Sequence, residues 1–328
     1  MSISNMEAVS PITGNRQRAL LRVLAWVAFF TAAQCGCTTV TQYQSPVTKF
    51  QLAVNSANDS IRPYLLSLNT LIAKANLYGK LRTGKPWGAD DFSATIPPDE
   101  INLRLQALST IASYANALGA VVTSGDDASL GQATETLCDH VASLHSTIES
   151  LGRTSNSTRE SSSQLDLRKP VESLVSLFGK MAIERMQRQA IEKAIIDGAK
   201  PIGNVIESLR VDLRKLSDLH QTEYDTITGV LMWNYQMTRE KADPKDLLAL
   251  TDRFISDYQQ IHASMALRAD VLLGDMSNAH KALVAFARSE KLPKDLAGLS
   301  VQMDIFSAHA KSFNAAIESV QSATKPLP

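Results

Sequence analysis

Apolar residues recur at steps of three and four along most of the chain. In the first segment Phe50, Val54, Ala57, Ile61, Leu65, Leu68, Ile72, Ala75 and Tyr78 average about 3.5 residues per repeat, the helical period and not the period of two expected of strands. Pro63 falls inside this stripe and predicts a kink near Ser60, because proline removes a backbone donor and its ring crowds the preceding turn. A second stripe runs through Ile101, Leu105, Leu108, Ala112, Ala115, Leu118 and Val122. It is preceded by Pro97, Pro98, Asp99 and Glu100, a helix start with acids in its first turn. A third runs from Leu130 through Leu137 and Leu144 to Leu151.

Residues 153–164 carry Ser, Thr, Asn and charge in place of apolar positions and predict a linker. Beyond it Leu174, Leu177, Phe178 and Met181 open a helix, and Gly198 with Pro201 predicts a break or kink near its end. The next stripe, from Ile202 to Tyr235, averages about 3.7 residues per repeat. Asp243 as N-cap, Pro244 and Asp246 restart the pattern. Its apolar face then continues through Leu250, Phe254, Tyr258, Met265, Leu272 and Leu283, predicting one helix from Pro244 to Lys291, roughly 70 Å long. Leu292 and Pro293 end it. The last stripe, Leu296, Leu299, Met303, Phe306, Ala310, Phe313, Ile317 and Val320, alternates three and four strictly, as a coiled-coil seam does.

Turns as short as Ala242–Asp243 and Leu292–Lys294 set neighbouring helices antiparallel. The predicted fold class is therefore all-α: an elongated up-down antiparallel helical bundle with coiled-coil-like packing and no sheet. An N-terminal helical segment over 46–152 and a long-helix segment over 165–322 pack as one bundle, with 323–328 as a tail.

Composition narrows the class. Lys plus Arg and Asp plus Glu number 33 each, so there is no global basic field and nucleic acid is not an expected partner. With 44% apolar residues and 3 Cys, the chain is neither disordered nor a disulfide scaffold.

The N-terminus carries an address. Arg16, Arg18 and Arg22 lead into an apolar run from Val23 to Ala33, followed by Gln34, Cys35, Gly36 and Cys37. Basic residues, a short apolar stretch and then small residues form the secretory signal pattern, well under the roughly 20 residues that span a bilayer. The segment resembles a bacterial lipoprotein signal, with residues 1–36 removed, Cys37 the lipid-modified first residue and 37–45 a short tether. Gly36 supplies the small residue before the cysteine, while Gln34 stands where that family prefers Leu. The resemblance implies membrane attachment through a lipid anchor, facing the periplasm. Thr38 in place of Asp implies outer-membrane sorting. Secretory cleavage after Ala33 is the competing reading. Lipidation at Cys37 would leave Cys138 as the sole mature thiol, whereas cleavage after Ala33 lets Cys37 and Cys138 pair.

Catalytic chemistry finds little support in the sequence. Residues 79–85 read Gly-Lys-Leu-Arg-Thr-Gly-Lys, but Pro86 follows where a phosphate loop needs Ser or Thr, and a helix precedes where it needs a strand. Among six histidines, His140 and His145 are five apart and do not converge on one ion, and no Glu-x-x-His repeat exists. His220 and His280 fall on apolar stripes, where a buried neutral imidazole is the expectation. Cys138 and His140 point in different directions on one helix. No catalytic residue, metal ligand or cofactor is expected. Trp87, within the long connection from Leu81 to Pro98, is either an interaction loop's aromatic or a cap on the bundle, and the cap is favoured because it buries a large ring. Trp233 and Tyr235 cap the other turn. The sequence thus predicts a noncatalytic, lipid-anchored helical interaction module. A pore-former-like bundle is the alternative, disfavoured because the richest mature apolar stretch is taken as Ile227–Met237, and a small-ligand binder or enzyme in the bundle core ranks third.

Overall fold

A computed structural model describes residues 14–89, 96–123, 127–154, 167, 169, 171–174, 191–265 and 267–323, with side chains from Thr41 onward for most of these. Among them the chain is all helical. The long helices are α1 (Gly14–Thr83), α2 (Pro98–Thr123), α3 (Asp127–Thr154), α4 (Ile191–Arg239), α5 (Pro244–Met265), α6 (Ala269–Arg288) and α7 (Pro293–Ala323). Most of the linker, from residue 155, lies outside the described residues, as do Leu177, Phe178 and Met181 of the helix expected after it, whose Leu174 is helical and buried.

Cross-helix contacts fix the directions. Arg104 reaches Asp212 and Tyr114 lies against Gly198, so α2 runs antiparallel to α4. Gln51 and Asn55 of α1 both donate to the Asn116 amide oxygen of α2, while Asn69 exchanges two hydrogen bonds with the Ile96 backbone. Those pairs set α1 and α2 antiparallel. Tyr43 meets Phe286 and Phe50 meets His280, so α1 and α6 are antiparallel too. Lys49–Asp304 and Ser60–Asn314 make α1 and α7 parallel neighbours. One apolar core holds side chains from both sides of the Ser-rich tract, including Phe50, Leu108, Leu137, Leu209, Met276 and Phe306. The α7 seam points into it: Leu299, Met303, Phe306, Ala310, Phe313 and Ile317 are all buried.

Local chemistry accounts for the helix ends. Gly84 takes a left-handed φ of 68° after α1. Its N–H donates to Leu81 and the Lys85 N–H to Lys80, the two bonds of a Schellman C-cap. At the start of α7 the Asp295 carboxylate accepts from the Leu292 N–H at 3.0 Å, and at the start of α5 the Asp243 carbonyl receives the Asp246 and Leu247 N–H groups.

Three expectations are corrected. The single helix from Pro244 to Lys291 is two: the chain leaves helical geometry between α5 and α6, where Arg268 has φ −112° and ψ 83°. Leu267 turns into the core there, and the Arg268 guanidinium grips Asp270 through two bonds of 2.8 and 2.9 Å, bringing a carboxylate to the new N-terminus. No glycine or proline marks this site. The second correction concerns the break expected at Gly198 and Pro201: α4 is continuous through both. Glycine is required at 198 because α2 comes so close that a Cβ would stand 2.9 Å from the Tyr114 ring. The third is that Ile227–Met237 is not the richest apolar stretch. Among the described residues α2 alone is long and apolar enough to cross a membrane, with a mean hydropathy of 1.2 over 18 residues, and it is mostly buried as the central helix of the bundle.

Candidate functional site

The positions singled out in the sequence do not converge. Cys37 and the whole of 1–36 lie where no side chain is described. Residues 79–85 form the C-cap of α1 with no strand before them, and Thr83 spends its hydroxyl on the Gly79 and Lys80 carbonyls. His140 pairs with Ser113 of α2 instead of Cys138, and the Cys138 thiol is pushed up by partial burial and by Asp139 and Glu135, which disfavours the thiolate. His145 sits beside Glu149 on the surface, and the His220 side chain lies outside the described residues. No group of three or more potential metal ligands occurs among the described residues. Trp87 is 56% exposed, so the capping expectation fails.

One buried polar pair was not anticipated, at Arg104 and Asp212, while the buried neutral imidazole expected at His280 is present with Tyr114 as its partner. Arg104 is fully buried, and its Nε and Nη2 donate to the two Asp212 carboxylate oxygens at 2.7 and 2.9 Å, while Nη1 donates to the Glu100 carbonyl at 2.8 Å. A signal existed: Arg104 is the only charged residue between Glu100 and Thr123 in a helix buried on nearly every side. His280 is likewise buried, held between Phe50 and Tyr114, with its Nε2 3.4 Å from the Tyr114 hydroxyl. Burial depresses its pKa to about 4, with Lys281 adding to the effect, so the ring is neutral at ordinary pH.

His280 also lines an open groove of about 550 Å³ between α4 and α6. Gly203 and Ser277 share that lining, together with Lys200, Lys281, Arg288 and the single acid Glu207. Arg210 already holds Glu207 through bonds of 2.6 and 2.9 Å, and that hydrogen bonding keeps the carboxyl below its usual range.

At the far end, the last turns of α4 and all of α5 form an antiparallel hairpin. Tyr235 stacks on Phe254 at 4.7 Å and bonds Thr251 through its hydroxyl. No described α5 side chain is buried, and Leu248, at 70% exposure, Ile255, Met237 and Tyr258 face solvent. The arm lies at the opposite end of α4 from Glu192, whose partner Lys291 follows α6. The length of α4 separates the two ends by about 70 Å.

The chain matches no family model, no curated protein and no solved structure.

Proposed function

We propose that the chain is a noncatalytic interaction module of the cell envelope, lipid-anchored at Cys37 to the cell membrane or outer membrane, facing the periplasm. The basic, apolar and Gly36-Cys37 succession supports the anchor. The observation that carries the interaction role is the α4–α5 hairpin, whose Leu248, Ile255, Met237 and Tyr258 stand in solvent although α1 and α7 flank it. Tyr43, six residues past Cys37, packs on Phe286 at the other end. An anchor there and an arm some tens of ångströms away suit a protein that holds a partner at a distance from its bilayer.

The test is site-specific photo-crosslinking in intact cells from Leu248 and Ile255, with a probe at exposed Leu52 on α1 as control. Discrete protein adducts from the arm and none from Leu52 are expected, and they should vanish when the remaining arm positions Met237 and Tyr258 are changed to Asp. Equal labelling from both sites would contradict the assignment.

One observation favours a second reading, a membrane-acting bundle: α2, the sole span-like helix among the described residues, is sheathed by amphipathic neighbours. Leakage of dye from vesicles by the full chain would select that reading over the first.

A further inference from the structure

We propose that the α4–α6 groove is a binding site for a phosphate-type oxyanion, with His280 Nδ1–H as its buried donor and Lys200, Lys281 and Arg288 as its cationic rim. Three cations face one carboxylate in this groove, and that carboxylate is occupied by Arg210. The groove therefore offers net positive charge around a partly apolar floor.

The proton on Nδ1 follows from the other side of the ring. Tyr114 is wholly buried, and desolvation raises its hydroxyl well above the usual range, so it stays protonated, and the proposal gives it the donor role toward Nε2. Nε2 is then the acceptor, and a neutral imidazole carries its one proton on the remaining nitrogen, Nδ1. That nitrogen faces Gly203: a Cβ on residue 203 would lie 3.9 Å from it. Glycine thus keeps a methyl group from van der Waals contact with the buried ring nitrogen, while Asn204 and Ser277 add neutral polar groups to the lining. A neutral donor in a low-dielectric floor combined with exposed cations at the rim is an arrangement that holds oxyanions without committing a buried charge.

Position indicates the source of the anion. The groove occupies the half of the bundle near Phe286 and Tyr43, the end from which α1 departs toward Cys37. A lipid phosphate would reach it there, as would free phosphate. The site itself stands without the lipid anchor; only the lipid source depends on the function proposed above.

The experiment is a titration of the detergent-solubilised full chain, 15N-labelled in its histidine rings, with inorganic phosphate and separately with short-chain phosphatidylglycerol. A saturable shift of the His280 Nδ1–H signal, identified by its loss in His280→Gln, is the expected result. Lys200→Glu with Lys281→Glu should weaken the shift at least about tenfold, and Gly203→Ala, which leaves every cation in place, should weaken it comparably. These are surface or half-buried sites, and an unchanged circular dichroism melt confirms that the variants fold. Saturation by phosphate alone assigns a free anion. Saturation by the lipid at lower concentration assigns a headgroup. Absence of a shift with both ligands, a ring proton found on Nε2, or a shift indifferent to the three substitutions overturns the proposal. If crosslinking from the arm fails while the titration succeeds, the interaction role falls and the anion site survives.

Discussion

The buried polar side chains concentrate the residue-scale consequences. Arg104 and Asp212 hold each other inside the core, so removing Asp212 leaves the buried guanidinium with its weaker contacts to Glu100. Asp212→Ala is expected to cost about 3–5 kcal/mol in a denaturant titration. Arg104→Met combined with Asp212→Leu should recover most of that loss, because an apolar pair of similar volume needs no solvation. Recovery would show that the pair fixes the register of α2 on α4 more than it stabilises the fold. His280 makes a pH-dependent contribution. Its folded pKa of about 4 lies below the ordinary 6.5, so the unfolded chain binds the proton more readily between those values. This term is fully present above pH 6.5 and is lost as pH falls toward 4, at up to about 1.4 kcal/mol per pH unit. The groups facing the ring are Tyr114 from α2, Phe50 from α1, neighbouring Lys281 and the Gly203 edge of α4, none of which compensates an imidazolium. Melts of His280→Gln should flatten across that window relative to the unsubstituted chain.

The helices separate by how much of each is buried. α6 is packed on both α4 and α7, and α1 and α2 contribute deep core positions, whereas α5 touches α4 and α7 without burying a described side chain. Hydrogen exchange should therefore be faster in α5 than in α6, although the two adjoin in sequence, because opening the arm exposes little apolar surface. Equal protection would mean that the arm is part of the cooperative core. The break that separates them also marks the limit of sequence reading. Period and capping residues defined the elements wherever proline, glycine or an N-cap acid punctuated the stripe, as at Pro97, Asp243 and Pro293. At 266–268 the stripe simply steps from Met265 to Leu272, and the break depends on Leu267 finding the core and Arg268 finding Asp270, both tertiary events. At Gly198 the error ran the other way: glycine was read as punctuation when it is clearance for Tyr114. Gly198→Ala should consequently destabilise the fold by more than the helix-propensity gain of alanine, on the order of 1–3 kcal/mol for a core overpacking, measured by thermal melt.

At the scale of the whole molecule, the bundle direction, the α7 seam and the absence of strands among the described residues were legible from spacing alone. The groove was not, because Lys200, Gly203, His280 and Arg288 are brought together only when α4 and α6 pack antiparallel. The exposure of Trp87 was not legible either: a tryptophan in a loop looks the same in sequence whether it folds back or stands in solvent. The proposed function joins an anchor at Cys37 to the α4–α5 hairpin and depends first on that anchor. Intact-mass analysis of the chain extracted from cell membranes tests it most directly. A mature chain that begins at Cys37 and carries diacylglycerol on that residue is the expected result; an unlipidated chain beginning at Gln34, recovered without detergent, would contradict it.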